Sequence, residues 1–82
     1  MIIEKIEEEI KVLKYLNNKN ILKQYKKVKN MLLLGYLKQV DFKIRQPKKD
    51  KIFYFRINKQ YRWYCYFEWT TLVVFRIDDH QN

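Results

Sequence analysis

The stretch Phe55-Arg56-Ile57-Asn58-Lys59-Gln60-Tyr61-Arg62 decides how the second half of the chain folds. Apolar residues dominate the run 52–57. Over 61–69 every second residue is aromatic or cysteine, and the residues between them are Arg62, Tyr64, Tyr66 and Glu68. Both patterns are typical of β-strands. The residues between them, Asn58-Lys59-Gln60, have a common length for a hairpin loop. The sequence therefore predicts two antiparallel strands joined by a tight turn.

This hairpin brings two arginines together. With a three-residue loop, Arg56 stands directly across from Arg62 on the same face of the sheet. Like charges opposed across neighbouring strands destabilise a sheet. We therefore predict that the pair holds an anion, since planar guanidinium groups match phosphate oxygens two at a time. Alternatively, both side chains extend into solvent or pair with one of three acids, Asp41, Glu68 or Asp79.

Further strands are predicted on both sides of the hairpin. Residues 40–45 alternate apolar and charged side chains, and residues 46–50 form a turn around the single proline. The run 72–77 is apolar on both faces, which is typical of a central strand. Within the strand 61–69, alternation predicts one apolar face made of Tyr61, Trp63, Cys65, Phe67 and Trp69.

The second hairpin decides which residue faces Arg62. A two-residue turn at Thr70-Thr71 would place Asp79 across from Arg62. A slip of one residue would move every partner to the other face of the strand. The sequence therefore predicts that these residues are neighbours and leaves their exact pairing open.

The first half of the chain has helical periodicity, and we predict an antiparallel helical hairpin over residues 3–34. Gly35 follows the second helix, at the position where a helix end favours a positive φ. Residues 1–3 could instead form a short edge strand. The predicted buried stripes are Ile3, Ile6, Ile10 and Leu13 in the first helix, and Ile21, Tyr25, Val28 and Leu32 in the second.

These elements predict a single α+β domain over residues 1–82, with the helical hairpin packed on a three- to four-stranded antiparallel sheet. Hydrophobic residues make up 48% of the chain, which is sufficient for a folded core. Lysine and arginine number 18 against 9 acids, a net charge of +9 that attracts polyanions. The alternative is a basic protein with no such partner. A single cysteine and the absence of a signal-like or membrane-spanning segment predict a cytoplasmic location.

The one histidine, His80, follows the last predicted strand directly after Asp78 and Asp79. Imidazole is the side chain best suited to proton transfer near neutral pH, and a neighbouring carboxylate can orient it or raise its pKa. The alternative is a solvated residue near the chain end. Cations also surround the turn before Arg56, either as a phosphate track or as a solvated loop; they are Lys38, Lys43, Arg45, Lys48, Lys49 and Lys51.

Several chemistries are excluded by composition. One histidine and one cysteine cannot form a zinc site, and a single glycine cannot form a phosphate-cradling loop. Cys65 lies in the middle of an apolar strand face without an adjacent base, which argues against a thiol nucleophile. No metal or other cofactor is predicted.

The hairpin 55–62 and the closing Ile77-Asp78-Asp79-His80 resemble the RelE/ParE toxin superfamily, and most of all its HigB-like branch. In that branch an R-I-N-x-Q-Y-R hairpin and a terminal D-Y-H are typical. The resemblance covers the element order of the whole chain and the motifs of residues 38–80, and it implies a RelE-like fold. Asp79 departs from the pattern, because the family has tyrosine there.

The resemblance implies a toxin of a type II toxin–antitoxin pair, which cuts messenger RNA on the ribosome and is neutralised by an acidic antitoxin. It implies that Arg56 and Arg62 hold the scissile phosphate and that Asp78 and His80 belong to the catalytic set. Arg76 and Lys51 do not match the motif, and we expect them to supplement this set. RNA supplies its own nucleophile, the 2′-hydroxyl, so such an endoribonuclease needs no metal. Two alternatives stay open: a catalytically silent member that binds RNA or a protein, and a ParE-type inhibitor of DNA gyrase.

Overall fold

A computed structural model describes residues 2–79 and places two helices against a five-stranded sheet. The helices are α1 (Ile10–Asn18) and α2 (Leu22–Leu33), and short 3₁₀ turns span Lys38–Val40 and Lys48–Asp50. The strands are β1 (Lys5–Glu8), β2 (Lys43–Ile44), β3 (Phe53–Arg56), β4 (Tyr61–Glu68) and β5 (Thr71–Asp79). Their order across the sheet is β1-β5-β4-β3-β2. Within residues 2–79, neither helix has the length and apolar character needed to cross a membrane.

The predicted α+β class and the helix-on-sheet arrangement are confirmed, but the predicted three- to four-stranded antiparallel sheet is wrong. The sheet has five strands and is mixed, because β1 pairs with β5 in parallel. Ile6 lies beside Leu72, and both side chains are buried. The backbone bonds from Glu4 N–H to Thr70 O and from Glu9 N–H to Val74 O extend this ladder. Pairing here covers an edge that β5, an apolar strand, would otherwise expose.

The start of the first helix was therefore predicted too early. An edge strand opens the chain at Lys5–Glu8 rather than at residues 1–3, of which Met1 lies outside the described residues. Because α1 begins only at Ile10, its buried stripe consists of Val12 and Leu16. Ile10 and Leu13, predicted to be buried, are 72% and 45% exposed.

The second helix matches its prediction, and all four residues of its predicted stripe are buried. Gly35 ends it with a φ of +88°. The N–H of Gly35 donates to Leu32 O at 3.1 Å, and the N–H of Tyr36 donates to Met31 O at 3.0 Å. This paired arrangement satisfies carbonyls that a helix end leaves open, and it requires a left-handed residue at position 35.

The predicted strand 40–45 is reduced to β2, which contains two residues. Val40 is buried but lies in a 3₁₀ turn, and Asp41 follows in the left-handed region with a φ of 53°. The alternation of apolar and charged residues over 40–45 therefore marks which side chains are buried, although most of this segment is not a strand. The predicted turn at 46–50 is confirmed, and its last residues form the 3₁₀ turn Lys48–Asp50.

Both hairpins form, but the second has a different register from the one considered first. Arg56 pairs with Arg62 as predicted. The turn between β4 and β5 is Trp69–Thr70 instead of Thr70–Thr71, and it leaves Trp69 97% exposed rather than on the apolar face. A bulge then shifts the register at Tyr64/Cys65. As a result Arg62 faces Asp78, and Asp79 faces Tyr61.

The core lies between the helices and one face of the sheet. Tyr25 of α2 stacks on Trp63 with ring centroids 4.5 Å apart, and Phe55 stacks on the same indole at 5.8 Å. Burying a side chain such as Phe55 completely contributes about 1.5–3 kcal/mol. The Tyr25 hydroxyl donates to Glu8 at 2.5 Å, and Lys29 pairs with the same carboxylate at 2.9 Å. The contacts with Glu8 hold α2 against β1. Among residues 2–79, both helices pack on the sheet face that carries Phe55 and Trp63.

Candidate functional site

The sheet face turned away from the helices carries two rows of side chains defined by strand register. Directly paired residues of neighbouring strands point to the same side of a sheet. One row runs across β3, β4 and β5 through Arg56, Arg62 and Asp78. The next row begins on β2 and contains Lys43, Tyr54, Tyr64 and Arg76. We call these two rows, together with Arg45, the basic face.

Arg56 and Arg62 are the two cations of the first row. The Arg62 guanidinium lies over the ring of Tyr54, with its central carbon 4.7 Å from the ring centroid. Its Nε is buried and has no hydrogen-bond partner within residues 2–79. Neither arginine takes part in the ion pairs formed among those residues. The predicted opposition of two cations is therefore present, and stacking on Tyr54 holds one of them in place.

A second group of cations surrounds Tyr64. The guanidinium carbons of Arg45 and Arg76 each lie 5.6 Å from the centroid of this ring. Tyr64 is only 8% exposed, and its ring lies 6.2 Å from that of Tyr54. Arg45 also approaches Asp50 at 3.9 Å. Two tyrosines thus carry three guanidinium groups on one half of the basic face.

The remaining predicted cations border this face. Lys43 is exposed and lies beside Tyr54 in register. Lys48, Lys49 and Lys51 lie on the exposed turn between β2 and β3, just beyond Arg45. Lys38 lies in the earlier 3₁₀ turn. The lysines of the second turn extend the positive surface past the end of β2, as a phosphate track would require.

The two predicted acids lie on different faces. Asp78 is beside Arg62 on the basic face. Asp79 shares a face with Tyr61, which packs against Tyr15 of α1, and its carboxylate accepts a hydrogen bond from the Gln60 amide at 3.2 Å. Burial raises the pKa of the Tyr15 hydroxyl, with smaller contributions from Tyr61 and from these two acids. His80, predicted as the proton-transfer residue, lies outside the described residues.

Arg56 also borders two shallow grooves along the part of β3 that β2 leaves uncovered. The larger, of about 270 Å³, is formed by α2 and the first 3₁₀ turn and includes Gln24, Lys27 and Ile57. The smaller, of about 190 Å³, includes Asn58 and Lys59 of the hairpin loop. The sequence did not single out Gln24 or Lys27. Only tertiary packing brings α2 near β3, so no local sequence motif could predict this proximity.

Tyr54 and Tyr64 were also missed as candidate site residues. Alternation along β4 places Tyr64 on the face of Arg62, two residues away, and this was the available signal. Cys65, on the opposite face, is fully buried, and burial raises the pKa of its thiol. A buried, protonated thiol is a poor nucleophile. The chemistry of the described residues is therefore concentrated in guanidinium and ammonium groups.

Comparisons with protein-family models, with curated proteins and with solved structures gave no match to this chain. The resemblance to the RelE/ParE superfamily stays a prediction from sequence motifs. The geometry defines a small α+β domain with a basic sheet face that suits a polyanionic partner.

Proposed function

We propose that this protein is the toxin of a type II toxin–antitoxin pair and cuts messenger RNA on the ribosome. The observation that carries the proposal is the opposition of Arg56 and Arg62 on the open face of the sheet. Two cations held side by side lower the stability of the free protein. A phosphate bound between them would remove that repulsion and accept hydrogen bonds from both.

The proposed chemistry needs few groups because the RNA brings its own nucleophile. The 2′-hydroxyl attacks the adjacent phosphorus, the P–O5′ bond breaks, and a 2′,3′-cyclic phosphate remains. Arg56 and Arg62 stabilise the charge that develops on the phosphate oxygens. His80 either gives a proton to the departing 5′-oxygen while water takes the 2′-hydroxyl proton, or takes that proton while water protonates the 5′-oxygen. Asp78 supports His80 electrostatically. The ribosome aligns the message, since positioning alone supplies much of such a rate enhancement.

The lysines bordering the basic face serve the same proposal. Lys43, Lys48, Lys49 and Lys51 would contact phosphates flanking the cut and contribute affinity without sequence preference. The excess of 9 positive charges would also favour an acidic antitoxin that covers this face. In this proposal the protein works in the cytoplasm.

Expression in a permissive bacterial host tests this function. We expect growth arrest, together with new 5′ ends in translated messages detected by primer extension. Arg62→Ala and His80→Ala should abolish both. Lys5→Ala is the matched control, since it removes a cation that lies on β1 and pairs with Glu7 at 3.0 Å. A wild-type protein that leaves growth and translated messages intact would contradict the proposal.

One observation favours a second candidate, a catalytically silent protein that binds RNA or another protein. Asp79 occupies the position where the resemblance implies tyrosine, and it lies on the helix-facing side of the sheet, bonded to Gln60. A side chain placed there cannot stack on a base bound at the basic face. This candidate predicts salt-sensitive RNA binding that survives His80→Ala, with no cleaved product.

A further inference from the structure

We propose that Tyr64, Arg45 and Arg76 form a second phosphate site beside the Arg56–Arg62 pair, with Tyr64 as the positioning residue. The inference rests on the proposed function in one respect, the assumption that the ligand of the basic face is a single RNA strand. It adds the position at which the neighbouring phosphate binds, and it names the side chain that orders the cations at that position.

The two sites lie one strand repeat apart on the basic face. Arg62 and Tyr64 are two residues apart on β4, and so are Asp78 and Arg76 on β5. Two residues along a strand span about 7 Å. This is the scale on which neighbouring phosphates follow one another in an extended single strand. A strand running along β4 would therefore meet the Arg56–Arg62 pair at one phosphate and the cations around Tyr64 at the next.

The Tyr64 ring holds the two cations beside it in place. Arg45 follows β2 and Arg76 lies on β5, so they approach the ring from opposite sides of β4. A planar guanidinium over an aromatic ring loses little of its donor capacity, because its N–H groups lie in the plane and still point outward. Long arginine side chains otherwise sample many rotamers. Stacking on the ring therefore restricts the rotamers of Arg45 and Arg76 and leaves their N–H groups available to a ligand.

The Tyr64 ring is too well covered to bind an RNA base itself. Tyr64 is nearly buried, with two guanidinium groups over it and Tyr54 beside it. An RNA base cannot stack on a ring that is covered in this way. The ring acts through the arginines rather than by touching the ligand.

The surrounding charges favour an anion at this position. The basic face holds Lys43, Arg45, Arg56, Arg62 and Arg76 and, in its two rows, the single acid Asp78. Asp50, the acid nearest to Arg45, lies at 3.9 Å, and both side chains are about 40% exposed. An exposed ion pair at that distance is weak, and a phosphate with two acceptor oxygens can displace it.

The test is equilibrium binding of a short, fluorescein-labelled 2′-O-methyl RNA, which cannot be cut because its nucleophile is blocked. Fluorescence anisotropy is measured between about 50 and 200 mM salt. Arg45→Gln and Arg76→Gln should each lower the magnitude of the salt slope by about 0.7, the value for one lost contact to a single strand. Lys5→Gln, on the distant edge strand, should leave the slope unchanged.

Tyr64 is tested by replacements that separate its ring from its bulk. Tyr64→Phe keeps the ring and should bind RNA like the wild type. Tyr64→Leu keeps an apolar side chain without the ring and should weaken binding by about five- to tenfold, the effect of losing one to two ordered cation contacts. In the Tyr64→Leu background, Arg76→Gln should then cost less than in the wild type, since the two residues act as a unit.

The outcomes separate this inference from the proposed function. If the protein does not cleave messages but shows these salt slopes and this coupling, the proposed nuclease activity is wrong and the second phosphate site stands. If Arg45→Gln and Arg76→Gln both bind RNA with wild-type affinity and wild-type salt slope, only the second site is overturned. These two variants test the second site even if Tyr64→Leu fails to fold. A wild-type protein without salt-dependent RNA binding would overturn both.

Discussion

Arg56 and Arg62 are direct partners across the β3–β4 hairpin, and their side chains leave the sheet on the face opposite the buried side chains of Phe55 and Trp63. Asn58 fixes the loop between them, because its side-chain oxygen accepts hydrogen bonds from the N–H groups of Gln60 at 2.8 Å and Tyr61 at 3.1 Å. Such a side-chain turn sets the register of the hairpin. Two like charges are therefore opposed by the loop geometry itself.

This opposition predicts that a charge-removing substitution stabilises the free protein. Arg56→Gln should raise the free energy of unfolding by about 0.2–1 kcal/mol, the range for cross-strand pairs. The gain should shrink at high salt, which screens the repulsion. Urea denaturation at two salt concentrations measures it. Lys5→Gln breaks an exposed ion pair and should not stabilise. A loss of stability in Arg56→Gln at low salt would show that the two cations do not repel.

The end of α2 predicts a backbone effect at Gly35. Apart from its two chain neighbours, no atom of residues 2–79 lies within 4 Å of the position that a Cβ would take there, so an added methyl group meets no steric clash among them. The φ of +88° is the obstacle, and Gly35→Ala should lower the free energy of unfolding by about 1–2 kcal/mol. Gly35→Asn should cost less, since asparagine tolerates a left-handed conformation better. Equal stability of all three proteins in thermal unfolding would contradict this account of the helix end.

Two buried groups predict how stability depends on pH. Burial raises the pKa of the Cys65 thiol above its ordinary 9.0. Burial and the hydrogen bond to Glu8 raise the pKa of the Tyr25 hydroxyl above its ordinary 10.0. Both groups hold their proton more tightly in the folded state. Their contribution to stability is therefore complete below the unfolded pKa and is lost as the pH rises toward the folded one.

Urea denaturation across alkaline pH measures this loss. The free energy of unfolding should decline above about pH 9, with a slope of up to about 1.4 kcal/mol per pH unit for each group. Cys65→Ala should lower overall stability by creating a cavity, yet it should remove the part of the decline that begins near pH 9. Wild-type and Cys65→Ala profiles that run parallel from pH 8 to 10 would refute the assignment to the thiol.

Local patterns predicted those parts of the fold that local forces determine. The stripe of α2, its glycine end and the β3–β4 hairpin were readable because neighbours in sequence fix them. The strand β1 could not be predicted in this way, because Ile3 and Ile6 are spaced as in a helix. Pairing with the edge of β5, more than sixty residues away, makes this segment a strand instead of a helix.

The same holds for the candidate site: contacts set by a single turn could be predicted, and contacts set by the whole sheet could not. The Arg56–Arg62 pair follows from one loop length. The position of Arg62 beside Asp78 depends on a turn one residue earlier than predicted and on the bulge in β5, and the sequence marks neither. The grouping of Arg45, Arg76 and Tyr64 requires the combined register of four strands. It could not be derived before the sheet was assembled.

We propose that the two guanidinium groups and His80 together cut translated RNA through its own 2′-hydroxyl, and the proposed toxin activity depends on this step. The most direct measurement is mass spectrometry of message fragments from a purified translation reaction with wild-type protein, Arg62→Ala or His80→Ala. The account predicts a 2′,3′-cyclic phosphate at the new ends, made by the wild type only and only when ribosomes are present. Fragments made equally by both variants, or no fragments from the wild type on translating ribosomes, would contradict it.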